Sequence, residues 1–184
     1  MPELLLLRHA KSDWKDAALD DFDRPLAKRG RRAAPLMGEY LRAQGLEPDL
    51  VLCSSARRAR ETLKLVLTAL ASRPEISYLK SLYLAPPSRM LTILRRQSPE
   101  AGRILLIAHN PGLERLALGL ALGTDGGTEG QDHSAAARHM AEKFPTAALA
   151  RFRVAAWENL GEAPAELVAF VSPRDLARDV EGDA

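Results

Sequence analysis

A chain of 184 residues, 46% of them hydrophobic, is long enough to bury a core of its own, and its single cysteine excludes an internal disulfide framework. Its 26 basic and 24 acidic residues leave a net charge of +2 with the signs interspersed, which excludes the long basic stripe that tracks a nucleic-acid backbone. No apolar run approaches the length of a membrane span and the leading leucines follow an acid rather than a basic segment, so the expectation is a single domain over residues 1–184, cytoplasmic, with neither nucleic acid nor membrane as partner.

Leu4 to Leu7 form a short apolar run that Arg8 and His9 break abruptly. That pattern reads as a buried strand delivering two polar side chains at its C-terminal end, where open α/β sheets place their chemistry. An arginine against a core strand asks for an anionic partner, and none stands beside it in sequence. Ser12 to Arg24 is polar and rich in aspartate, a loop folded over the strand end, with Trp14 assigned to packing. From Pro25 to Gln44 the apolar positions Leu26, Ala33, Leu36, Met37, Tyr40 and Leu41 recur at helical spacing, Gly45 supplies the stop, and Pro35 should kink or shift the helix.

Asp49 to Ser54 is a second buried strand in which Cys53 is a small core residue, and Ser54 and Ser55 are N-cap candidates for the helix that follows. Leu63, Val66, Leu67 and Leu70 form the core side of that helix. Its first turn carries Arg57, Arg58 and Arg60 where the helix dipole is already positive, which works against local stability unless an anion is present.

Ile76 to Tyr83 predicts a third strand, and Ser88 to Gln97 a helix after the turn Ala85-Pro86-Pro87. Arg103 to Ala108 is the clearest strand, ending in His109-Asn110-Pro111-Gly112 before a helix over Leu113 to Leu122, with Asn110 as N-cap and Pro111 at the first helical position. Thr124 to Thr146 breaks the rhythm and mixes a loop with a short helix ending near Phe144-Pro145; His133 and His139 within it read as solvated. Arg151 to Trp157 and Glu166 to Val171 are two strands forming an antiparallel edge, Trp157 being a packing residue, and Pro173 to Ala184 is a short helix with a frayed tail. Alternating strands and helices give an α/β fold, a three-layer α/β/α arrangement around a mostly parallel central sheet.

The chain has no glycine-rich nucleotide loop and no helical zinc spacing, His133 and His139 being six residues apart, so no cofactor and no metal are expected. With parallel strands, Arg8, His9, Arg58 and His109 converge on one edge of the sheet. Arginine forks match phosphate oxygens, fixed cations are what phosphoryl transfer needs, and a neutral histidine nitrogen can act as nucleophile. Arg57 and Arg60 are assigned to the surface, while Lys11, Ser12 and Arg24 border the pocket without a catalytic part.

The motifs resemble those of the histidine phosphatase superfamily, which has the phosphoglycerate mutase-like fold. Arg8-His9 matches the Arg-His-Gly motif, with Ala10 in place of the glycine; Ser54 to Thr62 resembles the second motif, with a serine four before Arg58 and a threonine four after it; Ala108-His109-Asn110-Pro111 resembles the motif of the second histidine. Arg8 to Ser12, Asp23-Arg24-Pro25-Leu26, Leu82-Tyr83 and Phe144-Pro145-Thr146 are similar to the short SixA-type phosphohistidine phosphatase branch. The resemblance implies a phosphohistidine intermediate on His9, a phosphoryl group held by Arg8, Arg58 and His109, and no metal.

Mutases and ester phosphatases of the superfamily place a carboxylic acid between the second motif and the second histidine, to protonate a departing alkoxide. The turn Leu82 to Pro87 contains none, although Asp13, Asp20 or an acid between Thr124 and Glu142 could fold over the site. An imidazole leaving group needs that proton far less, so the missing acid favours a histidine-phosphorylated protein such as a phosphotransfer domain as partner. The alternatives are a broad phosphomonoesterase acting on small phosphorylated substrates and a non-catalytic phosphoprotein-binding module.

Overall fold

Leu4, Leu5, Leu6 and Leu7 are all fully buried because their strand lies in the middle of a sheet covered on both faces. The computed structural model describes residues 1–123 and 135–182. The strands are β1 (Glu3–Arg8), β2 (Leu50–Ser54), β3 (Glu75–Leu79), β4 (Arg103–Ala108), β5 (Leu149–Arg153) and β6 (Glu166–Val171), ordered β3-β2-β4-β1-β5-β6. The β1–β4, β4–β2 and β2–β3 pairings are parallel, and β5 and β6 add the expected antiparallel edge. Glu3, at the start of β1, accepts from the Nε of both Arg103 and Arg151 at 2.8 Å, tying the N-terminal ends of β1 and β4 to the C-terminal half of the antiparallel β5.

Alternation along the strands splits the core in two. Leu4, Leu6, Ile104 and Leu106 face the layer of α3 (Pro87–Leu94), α4 (Gly112–Leu122) and α5 (Ala135–Glu142), together with Phe144, Phe152 and Trp157. Leu5, Leu7, Leu105 and Ile107 face α1 (Lys28–Ala43) and α2 (Arg57–Leu67), with α6 (Pro173–Gly182) packed beside α1. Each leucine withdrawn from water in this way contributes about 2 kcal/mol. The three-layer architecture read from the sequence therefore stands. Cys53 is a buried core residue, as expected, and burial pushes its thiol pKa up.

Local boundaries depart from expectation for identifiable reasons. The helix α1 begins at Lys28 rather than Pro25, because Leu26 pairs across to Ser12 in an isolated bridge. It runs through Pro35 to Ala43, and its buried side is Gly30, Ala34, Met37, Gly38 and Leu41, leaving Leu36 exposed. A Cβ on Gly30 would lie 2.2 Å from the carbonyl oxygen of Lys11, so glycine is what lets α1 press against the chain leaving β1. The third strand stops at Leu79, and a 3-10 turn over Lys80–Leu82 delivers Tyr83 to the end of the sheet. The following helix spans Pro87–Leu94, short of the expected Gln97.

Neither helix start is capped as the sequence suggests. The N-cap of α2 is Ala56 and that of α4 is Pro111, with no side-chain cap in either. Ser54 and Asn110 are instead engaged at the candidate site. The expected loop over 124–134, including His133, and the tail at 183–184 lie outside the described residues.

Candidate active site

Because β1 and β4 pair in parallel with Arg8 opposite Ala108, the residues that follow, His9 and His109, leave neighbouring strands side by side. Their rings lie 5.0 Å apart, and the His9 amide donates to the Ala108 carbonyl at 3.2 Å. His9 Nδ1 is 2.8 Å from the Ala10 carbonyl oxygen, an atom that can only accept, so the proton sits on Nδ1. Nε2 is then a bare lone pair, accepting from Arg58 Nε at 3.3 Å. One tautomer satisfies both contacts.

Arg58 enters from the first turn of α2, and Thr62 fixes the distance between that turn and β1. The Thr62 hydroxyl donates to the Arg58 carbonyl at 2.6 Å and accepts from the Ala10 amide at 3.0 Å. At its outer end the Arg58 guanidinium donates to Asp21 Oδ2 at 2.9 Å, and Tyr83 donates to the same oxygen at 2.6 Å. Arg24 donates to Asp21 Oδ1 at 2.6 Å and to the Asp13 carbonyl at 2.9 Å. The polar loop over the strand end thus supplies a carboxylate clamp on the two arginines.

On the opposite side, Ser54 Oγ shares a hydrogen bond of 2.7 Å with His109 Nε2. Arg8 donates from Nη1 to the Phe144 carbonyl at 2.7 Å, and Asn110 Nδ2 donates to the same oxygen at 3.1 Å. Glu114, on the first turn of α4, accepts from the Phe144 amide at 3.1 Å, locking the Phe144-Pro145-Thr146 segment beside β1. Arg8 Nε and His109 Nδ1 are buried side-chain polar atoms that no group among the described residues satisfies. Such groups cost about 1–3 kcal/mol each when left unpaired; an anion would accept from Arg8 Nε–H, and from His109 Nδ1 in the tautomer in which Ser54 Oγ donates to Nε2.

Burial is the largest cause lowering the His9 pKa; the Ala10 carbonyl opposes it, the charges of Arg58, Arg8 and Arg24 add to it, and the result is about 4 against an ordinary 6.5. His109 falls to about 3 through burial first and then the neighbouring His9 and Arg58. Both rings are neutral at pH 7. For Asp21, burial favours the protonated form, but the Tyr83 hydroxyl and the Arg58 and Arg24 guanidiniums outweigh it and hold the carboxyl at about 2. These groups line a pocket of about 350 Å³. It offers a neutral nitrogen lone pair and two guanidiniums, arranged to receive a tetrahedral anion.

Comparison with known proteins agrees with this geometry. The sequence profile of the histidine phosphatase superfamily, branch 1, matches residues 4–82, which include Arg8, His9 and Arg58. An uncharacterized protein of Mycobacterium tuberculosis is 39% identical over 171 residues, covering 91% of this chain and 100% of its own. The candidate phosphohistidine phosphatase SixA of Nakamurella multipartitia superposes with a TM-score of 0.79 at 28% identity, over 94% of this chain and 96% of that one. The chain belongs to the histidine phosphatase superfamily. The corresponding candidate SixA of Agrobacterium tumefaciens superposes with a TM-score of 0.76 at 28% identity, over 94% and 99% of the two chains, which places this histidine phosphatase with the SixA-type branch and its phosphoglycerate mutase-like fold.

The four residues singled out in the sequence of this histidine phosphatase, Arg8, His9, Arg58 and His109, come together. Lys11, Ser12 and Arg24 border the pocket as expected. Arg57 is bound to Glu61 at 2.8 Å and, with Arg60, lines a larger groove of about 790 Å³ on the outer side of α2 that touches neither histidine. Sequence reasoning missed Asp21. It considered Asp13, Asp20 and the acids between Thr124 and Glu142, but Asp13 caps the Lys15 amide at 2.9 Å through its side chain, the acids over 124–134 lie outside the described residues, Glu142 lines a different pocket, and Asp21 is the acid that turns inward. Glu114 was also missed; its position one turn beyond Asn110 was the available signal. His139 is exposed, as expected, and packs its ring edge-on to Phe170. Trp157 is buried, but Trp14 is not a packing residue: it is 69% exposed at the pocket mouth. Among the described residues no group of three or more His, Cys, Asp or Glu side chains is placed to hold a metal ion.

Proposed function

We propose that this phosphatase hydrolyses protein phosphohistidine through a covalent phosphohistidine on His9. The observation that carries the substrate choice is the state of Asp21, the one carboxylate lining the pocket among the described residues, held ionised by Tyr83, Arg58 and Arg24. An acid at about 2 has no proton to give at neutral pH, which suits a leaving imidazole and disfavours a leaving alkoxide.

In this reading the substrate's phosphohistidine ring carries a proton on its free nitrogen; the Nε2 lone pair of His9 attacks phosphorus while the P–N bond breaks, its electrons staying on the departing ring nitrogen, so that the substrate histidine leaves as neutral imidazole and His9 becomes the phosphorylated imidazolium. The entering phosphoryl group takes the place of Nε2 as acceptor for Arg58 Nε–H; the unsatisfied Arg8 Nε–H is a further donor for its oxygens, as is His109 Nδ1 when Nε2 accepts from the Ser54 hydroxyl. Water then attacks the phosphohistidine on His9, releasing inorganic phosphate and restoring the neutral ring. The Ala10 carbonyl stabilises the Nδ1–H form throughout. A histidine-phosphorylated protein such as a phosphotransfer domain is the proposed partner, in the cytoplasm, with no metal required.

Wild type and His9→Ala are compared on a histidine-phosphorylated phosphotransfer domain and on an aryl phosphate ester, with a chelator present. Chelator-resistant release from the protein that falls at least 10³-fold in His9→Ala, with little ester turnover, is the expected result. Ester turnover equal to or above that of the protein would establish a broad phosphomonoesterase instead. No turnover of either would leave a phosphoprotein-binding module.

A further inference from the structure

Two large apolar side chains stand exposed on the rim of the pocket, Trp14 at 69% and Leu84 at 53%. Neither is there for want of a place to pack loosely. The Trp14 ring lies over the Arg24 guanidinium, 3.1 Å from its central carbon to the ring centroid. Arg24 is itself buried, donating to Ser12 Oγ, Asp21 and the Asp13 carbonyl. The indole is therefore mounted on a fixed cationic base, with its other face open to solvent. Leu84 is one of two non-glycine residues with positive φ among the described residues, at 49°, a conformation costly for a bulky side chain. The chain beside it is held rigidly: a Cβ on Gly112 would lie 1.9 Å from the Ala85 carbonyl oxygen, so α4 packs directly on that backbone.

We infer that Trp14 and Leu84 are a preformed apolar collar that grips the protein surface around a phosphorylated histidine. Rigidly presented aromatic and aliphatic groups beside a polar pocket are what anchor protein interfaces, since little side-chain freedom is lost when they are covered. A small phosphorylated molecule held among the arginines and histidines would leave most of the exposed surface of Trp14 and Leu84 in water; a folded partner with apolar neighbours to its phosphohistidine would cover it. The inference rests on the proposed phosphohistidine reading and adds the surface that selects protein over free phosphoramidate.

The test measures kcat/KM for wild type, Trp14→Ala, Trp14→Phe and Leu84→Ala on a histidine-phosphorylated phosphotransfer domain and on phosphoimidazole, which has the same scissile bond and no protein surface. The expected outcome is a protein-to-phosphoimidazole ratio that falls at least tenfold in each alanine variant, through KM rather than kcat, with Trp14→Phe restoring most of it. An unchanged ratio overturns the collar while leaving the phosphohistidine reading intact, whether both substrates are unaffected or both decline together because Trp14 merely steadies Arg24. Absence of wild-type turnover on both substrates removes the reading and the collar together.

Discussion

His9 keeps its proton on Nδ1 because that nitrogen meets the Ala10 carbonyl oxygen, which can only accept, and that contact decides which nitrogen can act as a nucleophile. Burial and the arginines then keep both histidines neutral well below their ordinary range. The consequence for stability has a definite sign. In the unfolded chain each histidine takes up a proton near 6.5, whereas the folded protein resists until about 4 for His9 and 3 for His109, so stability is highest above pH 6.5 and declines as the pH falls through that window. Below pH 3.8 the loss continues through Asp21, whose folded carboxyl protonates only near 2. Imidazole NMR titration of the free protein is expected to place the His9 midpoint near 4; a midpoint near 6.5 would mean that the ring is neither buried nor flanked as described. From sequence, Arg8 and His9 at a strand end were legible, and so was the convergence of arginines around them. That burial is the largest cause of the low histidine pKa values was not, because it depends on what covers the rings.

The parallel pairing of β1, β4 and β2 brings the site together, and the helices hold its depth. The spacing around α2 has a structural reason: Ser54, four residues before Arg58, reaches His109, and Thr62, four residues after it, ties the helix to Ala10. The close approach of α1 to Lys11 through Gly30 sets the other wall. Gly30→Ala would drive a methyl into backbone that has no rotamer to yield, so a loss of about 3 kcal/mol is expected, read as a lower denaturant midpoint with unchanged m-value. A neutral substitution would show that α1 stands farther from β1 than described. Strand positions were legible because buried parallel strands such as β4 leave continuous apolar runs, and the antiparallel edge strand β6 also falls over the apolar stretch Glu166–Val171. Helix starts were not. Ser54 and Asn110 carry the cap signature, but tertiary partners claim their side chains: His109 for the one, the Phe144 carbonyl for the other.

Across the whole molecule, residues distant in sequence, from Arg8 in β1 to the Phe144 carbonyl ahead of β5, close on one pocket at the C-terminal ends of the parallel strands. The fold class was readable from alternating strands and helices, and membership of the superfamily from three short motifs. The carboxylate clamp was not readable, since the aspartate-rich loop offers several acids at similar distance and only its 3-10 turn over Asp21–Asp23 selects Asp21. Among the described residues no helix is long and apolar enough to cross a membrane. The central claim is the covalent intermediate on His9, and the most direct measurement is mass spectrometry of the protein quenched with alkali during turnover of a histidine-phosphorylated phosphotransfer domain. The account predicts one acid-labile phosphoryl group on the peptide bearing His9, absent in His9→Ala. A phosphoryl group on His109 instead, or sustained turnover by His9→Ala with no phosphoenzyme, would contradict it.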